Sequence, residues 1–219
     1  FFGTPDFAVP ALQLLIESGY KISAVFTGQG PINTLAQEYK IKIFKPNSLK
    51  KDEHVFEEFK SLNPDLCVVA AYGKIIPQKF LDIPRHGFIN IHPSLLPKYR
   101  GPSPIQTAIL NGDTKTGVSI MVIDSEVDHG PLFGQVTHNL QPEIYYNDAE
   151  KELAEVGAKL LLETLPKYLD GELLPKEQDH NQATFTKMFE REDGKINWSE
   201  PSEKIFAKIR ALNPEPGTW

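Results

Sequence analysis

The 219-residue sequence is short of several groups that usually announce a chemistry, and each shortage closes a route. Its single cysteine, Cys67, lies in the apolar run Leu66-Cys67-Val68-Val69-Ala70, where a thiol reads as a small core residue rather than a nucleophile. No disulfide framework can be built, so a reducing compartment, the cytoplasm, is the expected setting. There is no Gly-x-Gly-x-x-Gly after a strand, which removes the dinucleotide fingerprint, and no Gly-x-Ser-x-Gly elbow to expose Ser94. The six histidines include no pair at helical spacing, so a metal site assembled from His92, Asp124, Asp128 and His129 has little support. No apolar run reaches the ~20 residues that span a bilayer, and no basic-then-apolar leader is visible. The chain opens on Phe1-Phe2-Gly3 without a methionine, which leaves a preceding segment open. Basic residues are outnumbered, 23 Lys and Arg against 29 Asp and Glu, for a net charge of −6. That balance argues against a broad polyanion-binding surface but leaves a local basic patch open, with Lys98 and Arg100 right beside the motif at residues 90–97.

What is present suits a globular chain with one substantial core and the start of a second domain: 40% hydrophobic and 24% charged residues. The first two-thirds alternates short apolar runs with helical patterns, the signature of an α/β fold with a mostly parallel sheet. Strands are expected at 1–2, 21–26, 41–44, 66–71 and 88–92, with 117–123 and 132–137 as a possible pair. The run at 66–71 is apolar throughout, the pattern of a central strand covered on both faces. Helices are expected after Gly3, capped by Thr4 or Asp6, and at 32–39, 52–62, 103–110, 147–169 and 200–212, the last capped by Ser199 or Ser202. From Asp179 the chain turns polar and irregular.

The most informative stretch is Asn90-Ile91-His92-Pro93-Ser94-Leu95-Leu96-Pro97. Residues i and i+2 of a strand face the same way, so Asn90 and His92 project together at the C-terminal end of a central strand, where open α/β sheets hold ligands. Asn90 cannot titrate and is suited to orienting a substrate or donating to a developing oxyanion. His92 can do the same or move a proton. Asp128, in the Gly-bounded loop Val127-Asp128-His129-Gly130, can complete the set as a base or as the group that orients the imidazole. Such equipment serves acyl transfer without a covalent nucleophile. Tyr72-Gly73 closes another strand on the same edge and is equally readable as a simple turn or as backbone offered to a flat ligand.

Together these residues resemble the formyltransferases that use 10-formyltetrahydrofolate. That family carries Asn-x-His before Ser-Leu-Leu-Pro and, in a later loop, an Asp followed by x-Gly; here the counterparts are Asn90, His92, residues 94–97 and Asp128-His129-Gly130. The resemblance implies a Rossmann-like formyltransferase fold and a catalytic trio of Asn90, His92 and Asp128. It also implies a folate site drawn from Ser94, Leu95, Leu96, Pro97, Tyr72, Gly73, Ile75 and Asp124, and no metal. Residues 2–10, 71–77, 100–106 and 209–214 resemble the branch whose acceptor is initiator methionyl-tRNA. Formyl transfer to that amine, by a cytoplasmic monomer, is therefore the expectation. Transfer to a small amine, glycinamide ribonucleotide or an amino sugar, and a non-catalytic folate-binding domain are the alternatives. The family's long basic loop after the second strand is missing at Gln29-Gly30-Pro31, and its C-terminal β-barrel would begin where the sequence stops. Residues 1–178 are thus expected to form the catalytic domain, and 179–219 a linker and the start of the next domain. The family's Leu-Asp-Thr-Gly is Val127-Asp128-His129-Gly130 here, which puts an imidazole beside the carboxylate.

Overall fold

Side chains alternate along the central strands between two apolar cores, and this alternation sets the direction in which the polar residues of one of them point. In the computed structural model, which describes all residues from Phe1 to Trp219, the strands are β1 (Phe2–Gly3), β2 (Val25–Phe26), β3 (Ile43–Phe44), β4 (Cys67–Ala70), β5 (Phe88–His92), β6 (Lys115–Val122) and β7 (Leu132–Asn139). They form one sheet in the order β3-β2-β1-β4-β5-β6-β7. The first five run parallel, while β6 and β7 continue the sheet antiparallel. This is the expected Rossmann-like, mostly parallel sheet.

The helices are α1 (Val9–Glu17), α2 (Pro31–Glu38), α3 (Glu53–Leu62), α4 (Gln78–Leu81), α5 (Pro104–Leu110), α6 (Tyr146–Leu169) and α7 (Ser202–Leu212). The larger core holds Leu12, Val25, Val68, Ile89, Ile91, Val118 and Ile120 together with Leu153, Leu161 and Leu165 of α6. On the other face, α3 and α4 close an aromatic core of Phe2, Phe26, Phe44, Phe59, Tyr72, Phe80 and Phe88. Phe2 stacks on Phe26 with ring centroids 4.3 Å apart, and Tyr72 meets Phe2 edge-on at 5.2 Å. Burying each such ring contributes roughly 2–3 kcal/mol. Along β5, Ile89 and Ile91 enter the larger core and Phe88 the aromatic one, so Asn90 and His92 lie on the aromatic side, beyond its last ring.

Local details depart from the sequence expectations where a tertiary partner intervenes. The strand expected at 21–26 is reduced to Val25–Phe26, because the register pairs Phe2 with Phe26 and Ile43 with Val25 and leaves residues 21–24 outside the ladder. Neither Thr4 nor Asp6 caps the first helix. A 3-10 turn, Asp6–Ala8, precedes α1, and the Thr4 hydroxyl instead accepts from the Gly28 amide at 3.4 Å. Pro201 occupies the N-cap of α7 with no side-chain cap, and Ser199 donates to Asn197 Oδ1 at 2.7 Å. Asp52 does cap α3, accepting from the Val55 amide at 3.0 Å. Helix α4 was not expected, since a four-residue turn after Pro77 has too little length to show a period.

α6 crosses β5 and β6 at Gly157. A Cβ there would stand 2.8 Å from Ile91 Cγ2 and 3.1 Å from Val118 Cγ1, so a residue that weakens a helix by about 1 kcal/mol is offset by close packing. Gly157→Val is expected to lower the unfolding free energy by about 2 kcal/mol through overpacking. Urea titration reads this directly, and an unchanged midpoint would rule out the contact.

A second expectation concerns pH. Near the start of α6, burial raises the Glu150 carboxyl above its ordinary value and the Asp6 charge adds to the effect, while the bond from the Tyr146 hydroxyl, 2.7 Å, works against it. A carboxyl raised in the folded state costs nothing below its unfolded pKa and costs stability once pH rises through the folded value. Glu150→Gln should therefore melt at a higher temperature than the parent at neutral pH. The gap should close below about pH 4, where an unfolded Glu is itself protonated.

Candidate active site

β5 ends at the C-terminal edge of the sheet with Asn90 half-buried and His92 only 4% exposed. His92 Nε2 lies 2.9 Å from the carbonyl oxygen of Tyr99. A carbonyl only accepts, so Nε2 carries the hydrogen and Nδ1 is the atom that faces the site. Asp128 Oδ2 stands 3.6 Å from that Nδ1, and Asn90 Nδ2 reaches Asp128 Oδ1 at 3.5 Å. Both separations are at or beyond the limit of a hydrogen bond, so the carboxylate is beside both groups without being saturated by either. Its one short bond comes from the Gly101 amide, 2.7 Å from Oδ2. The three residues singled out in the sequence are thus brought together.

The loop joining β6 to β7 delivers Asp128 through two backbone constraints. Asp128 has φ +49°, a left-handed conformation that Asp and Asn tolerate better than most residues. Two residues on, a Cβ at Gly130 would be 1.9 Å from the Val122 carbonyl oxygen, so only glycine allows the loop to close. The Val122 amide donates to the Pro131 carbonyl at 2.9 Å across its neck. On the facing turn, Gly101 has φ +106°, and a Cβ there would meet Thr186 at 2.9 Å.

The turn after His92 is held from beneath. Ser94 is fully buried and its hydroxyl donates to the Lys98 carbonyl at 2.6 Å. Ser119 Oγ donates to the Ser94 carbonyl at 2.7 Å and accepts from the Leu96 amide at 3.0 Å. Gln135 Nε2 adds bonds to the Leu96 carbonyl and to Ser119 Oγ, each 2.9 Å. Ser94 and Leu96 therefore build the turn, and Leu95 and Pro97 are its half-buried faces. Tyr72 turns its ring into the aromatic core, and burial pushes its phenol up to about 12, whereas Gly73 and Ile75 lie exposed at the strand end. Asp124 is engaged by His129 Nδ1 at 2.7 Å and by the Glu126 amide at 2.9 Å. Burial also pushes the Cys67 thiol up to about 12, which leaves it inert in mid-strand.

The two basic residues beside the motif are both engaged. Arg100 is 4% exposed, and its Nε and Nη2 donate to Gln178 Oε1 at 3.2 and 2.7 Å. Lys98 pairs with Asp113 at 2.9 Å. Sequence reading missed Gln178, the Gly101 amide and the Tyr99 carbonyl, because a glutamine in a polar stretch and two backbone groups carry no pattern. An apolar cavity of about 330 Å³, lined by Phe1, Leu15, Ile22, Phe59, Leu62 and Leu165 among others, opens at the opposite end of the strands. It lies at the far end of the strands from Asn90, His92 and Asp128.

Over residues 22–165 the sequence matches the family described as Formyl transferase, and over 188–219 the family described as Formyl transferase, C-terminal domain. The methionyl-tRNA formyltransferase of Chloroflexus aurantiacus is 42% identical over 231 residues, covering 100% of this chain and 74% of that relative. Among solved structures, a 4-N formyltransferase from Francisella tularensis has a TM-score of 0.77 at 19% identity, covering 99% of this chain and 90% of its own. The N-formyltransferase of Helicobacter canadensis, solved in complex with folinic acid and dTDP-3-aminofucose, has a TM-score of 0.73 at 19% identity, covering 97% and 81%. At that identity the two structures establish likeness of fold.

Proposed function

The chain belongs to the formyl transferase family of enzymes, and from that premise we propose that it moves a formyl group from 10-formyltetrahydrofolate to the free amine of initiator methionyl-tRNA. The observation that carries this reading is the convergence of Asn90, His92 and Asp128 at the end of β5 in a chain 42% identical, over its whole length, to a methionyl-tRNA formyltransferase. The amine nitrogen attacks the formyl carbon, and the carbonyl becomes a tetrahedral oxyanion. Asn90 Nδ2–H donates to that oxygen. His92 can act only through Nδ1, as a donor when doubly protonated or as an acceptor when neutral, because Nε2–H is committed to Tyr99. Asp128 takes the proton that the attacking nitrogen must lose. As the oxyanion re-forms the carbonyl, the bond from the formyl carbon to N10 breaks, N10 takes the proton that Asp128 had accepted, and tetrahydrofolate leaves with the carboxylate restored.

The folate would lie along the Leu95 and Pro97 faces and the exposed Gly73 and Ile75, with Ser94 and Leu96 shaping the turn, the Tyr72 backbone at its edge and Asp124 beside the loop. No step calls for a metal. Residues 1–178 act as the catalytic domain and 179–219 as the linker toward a second domain. No helix is long and apolar enough to cross a membrane, and we place the reaction in the cytoplasm.

Asp128→Asn keeps a residue that accepts the left-handed backbone but removes the proton acceptor, and His92→Ala removes the imidazole. Each is expected to cut turnover by about 10²–10³-fold, the effect of losing one group aimed at a developing charge. Steady-state kinetics check this, and near-parental rates in either variant reject the assigned roles. A second reading, transfer to an amino sugar, draws on fold neighbours that are sugar N-formyltransferases, one of them solved with dTDP-3-aminofucose. Incubating the protein with donor and each acceptor separates the two, since formyl-methionyl-tRNA forms only under the first.

A further inference from the structure

The segment after β7 and α6 is not a slack connection. Lys176 exchanges two backbone bonds with Leu132, at 2.8 and 2.7 Å. Thr184 Oγ1 accepts from the Tyr99 amide at 2.8 Å, and the Thr184 carbonyl accepts from the Arg100 amide at 2.8 Å. The Thr186 amide donates to the Arg100 carbonyl at 2.7 Å, and Thr186 Oγ1 accepts from the Ser103 amide at 3.1 Å. Residues 176–186 therefore form a strap over both turns that supply the site: the turn carrying the Tyr99 carbonyl and Gly101 amide, and the loop carrying Asp128.

At its centre, Gln178 is 6% exposed. Nε2 donates to the Asp128 carbonyl at 3.0 Å and to the Gly130 carbonyl at 2.8 Å, while Oε1 accepts twice from Arg100. The orientation of this amide is dictated by its partners, since Arg100 offers only donors and the two carbonyls only accept. The same guanidinium lies 2.8 Å from His180 Nδ1, and His180 stacks on His129 with centroids 4.0 Å apart and planes 1° from parallel. Carbonyls two residues apart converge on one amide only when the chain between them is curled, which is the conformation that Asp128 adopts at φ +49°.

We propose that Gln178 is a positioning residue for Asp128, holding the curled loop so that the carboxylate faces Asn90 and His92. This rests on the role given to Asp128 above. Gln178 touches no reacting atom and acts through the loop backbone alone.

Gln178→Glu separates the two halves of the amide, because it keeps an oxygen for Arg100 and loses the donors to both carbonyls. The expected result is a kcat at least tenfold lower, a KM for 10-formyltetrahydrofolate within about twofold of the parent, and a melting temperature close to it. In an Asp128→Asn background the same change should have no further effect on kcat, since Gln178 acts through Asp128. Additive losses in the double variant, or an unchanged kcat in the single one, would overturn the proposal. Should Gln178→Glu fold poorly, Gln178→Asn replaces it, an amide one methylene too short to span both partners. Hydrogen exchange in the ligand-free protein needs no acceptor: the amides of residues 124–130 and of Gly101 should exchange faster in the variant, with the sheet unchanged. Absence of formyl transfer by the parent would reject the functional reading above. The exchange experiment would then decide the hold of Gln178 on the loop, with faster local exchange upholding it and unchanged exchange overturning it.

Discussion

Asn90 and His92 take their direction from β5, a strand buried on both faces whose last residues on one face are polar. Phe88, Ile89 and Ile91 are sealed in two cores, so the strand cannot rotate or slip by one residue without driving a carboxamide and an imidazole into hydrocarbon and two isoleucines out of it. That constraint holds Asn90 and His92 side by side at the sheet edge more firmly than any bond they make. The close seat of α6 on Ile91 at Gly157 presses on the same strand from the far side, which links helix packing to site geometry.

A second constraint works against the first. A carboxylate approaches the pair from a loop 38 residues downstream of Asn90, and past Ile123, which packs on the aromatic core, that loop offers no buried apolar side chain. Backbone devices take the place of a core: a left-handed Asp128, a Gly130 pressed on Val122, the amide of Gly101 and the two carbonyls caught by Gln178. Asp128 is thereby held without being neutralised, because the groups that fix it are uncharged and its remaining lone pairs face Asn90 and His92. A carboxylate held in that way keeps acceptor capacity that an ion pair would commit.

Much of this was legible in the sequence, for reasons that differ by element. β5 was read to the residue because its alternation and the following Pro93 leave one register. β4 was evident as a covered strand because it is apolar throughout, and α6 because its leucines keep a helical period over many turns. Short elements fared worse: the strand at 21–26 shrank to the two residues that find partners, and α4 had no period to show. Arg100 read as surface charge and proved to be a buried strut, since a basic residue beside a glycine gives no hint of the glutamine that will cover it.

The division follows the range of the interactions. A two-residue strand period, glycines where φ must be positive, and the types of the three polar residues are local properties, so the order of amino acids was enough to foresee which groups would stand together and what class of reaction they suit. The hold on the curled Asp128 loop and the strap that secures it depend on contacts across long stretches of chain, with the partners of Gln178 lying 48 to 78 residues away. Such contacts have no signature in any window of sequence, because their energy appears only once the sheet, its crossing helix and the returning segment have brought those atoms within hydrogen-bonding distance.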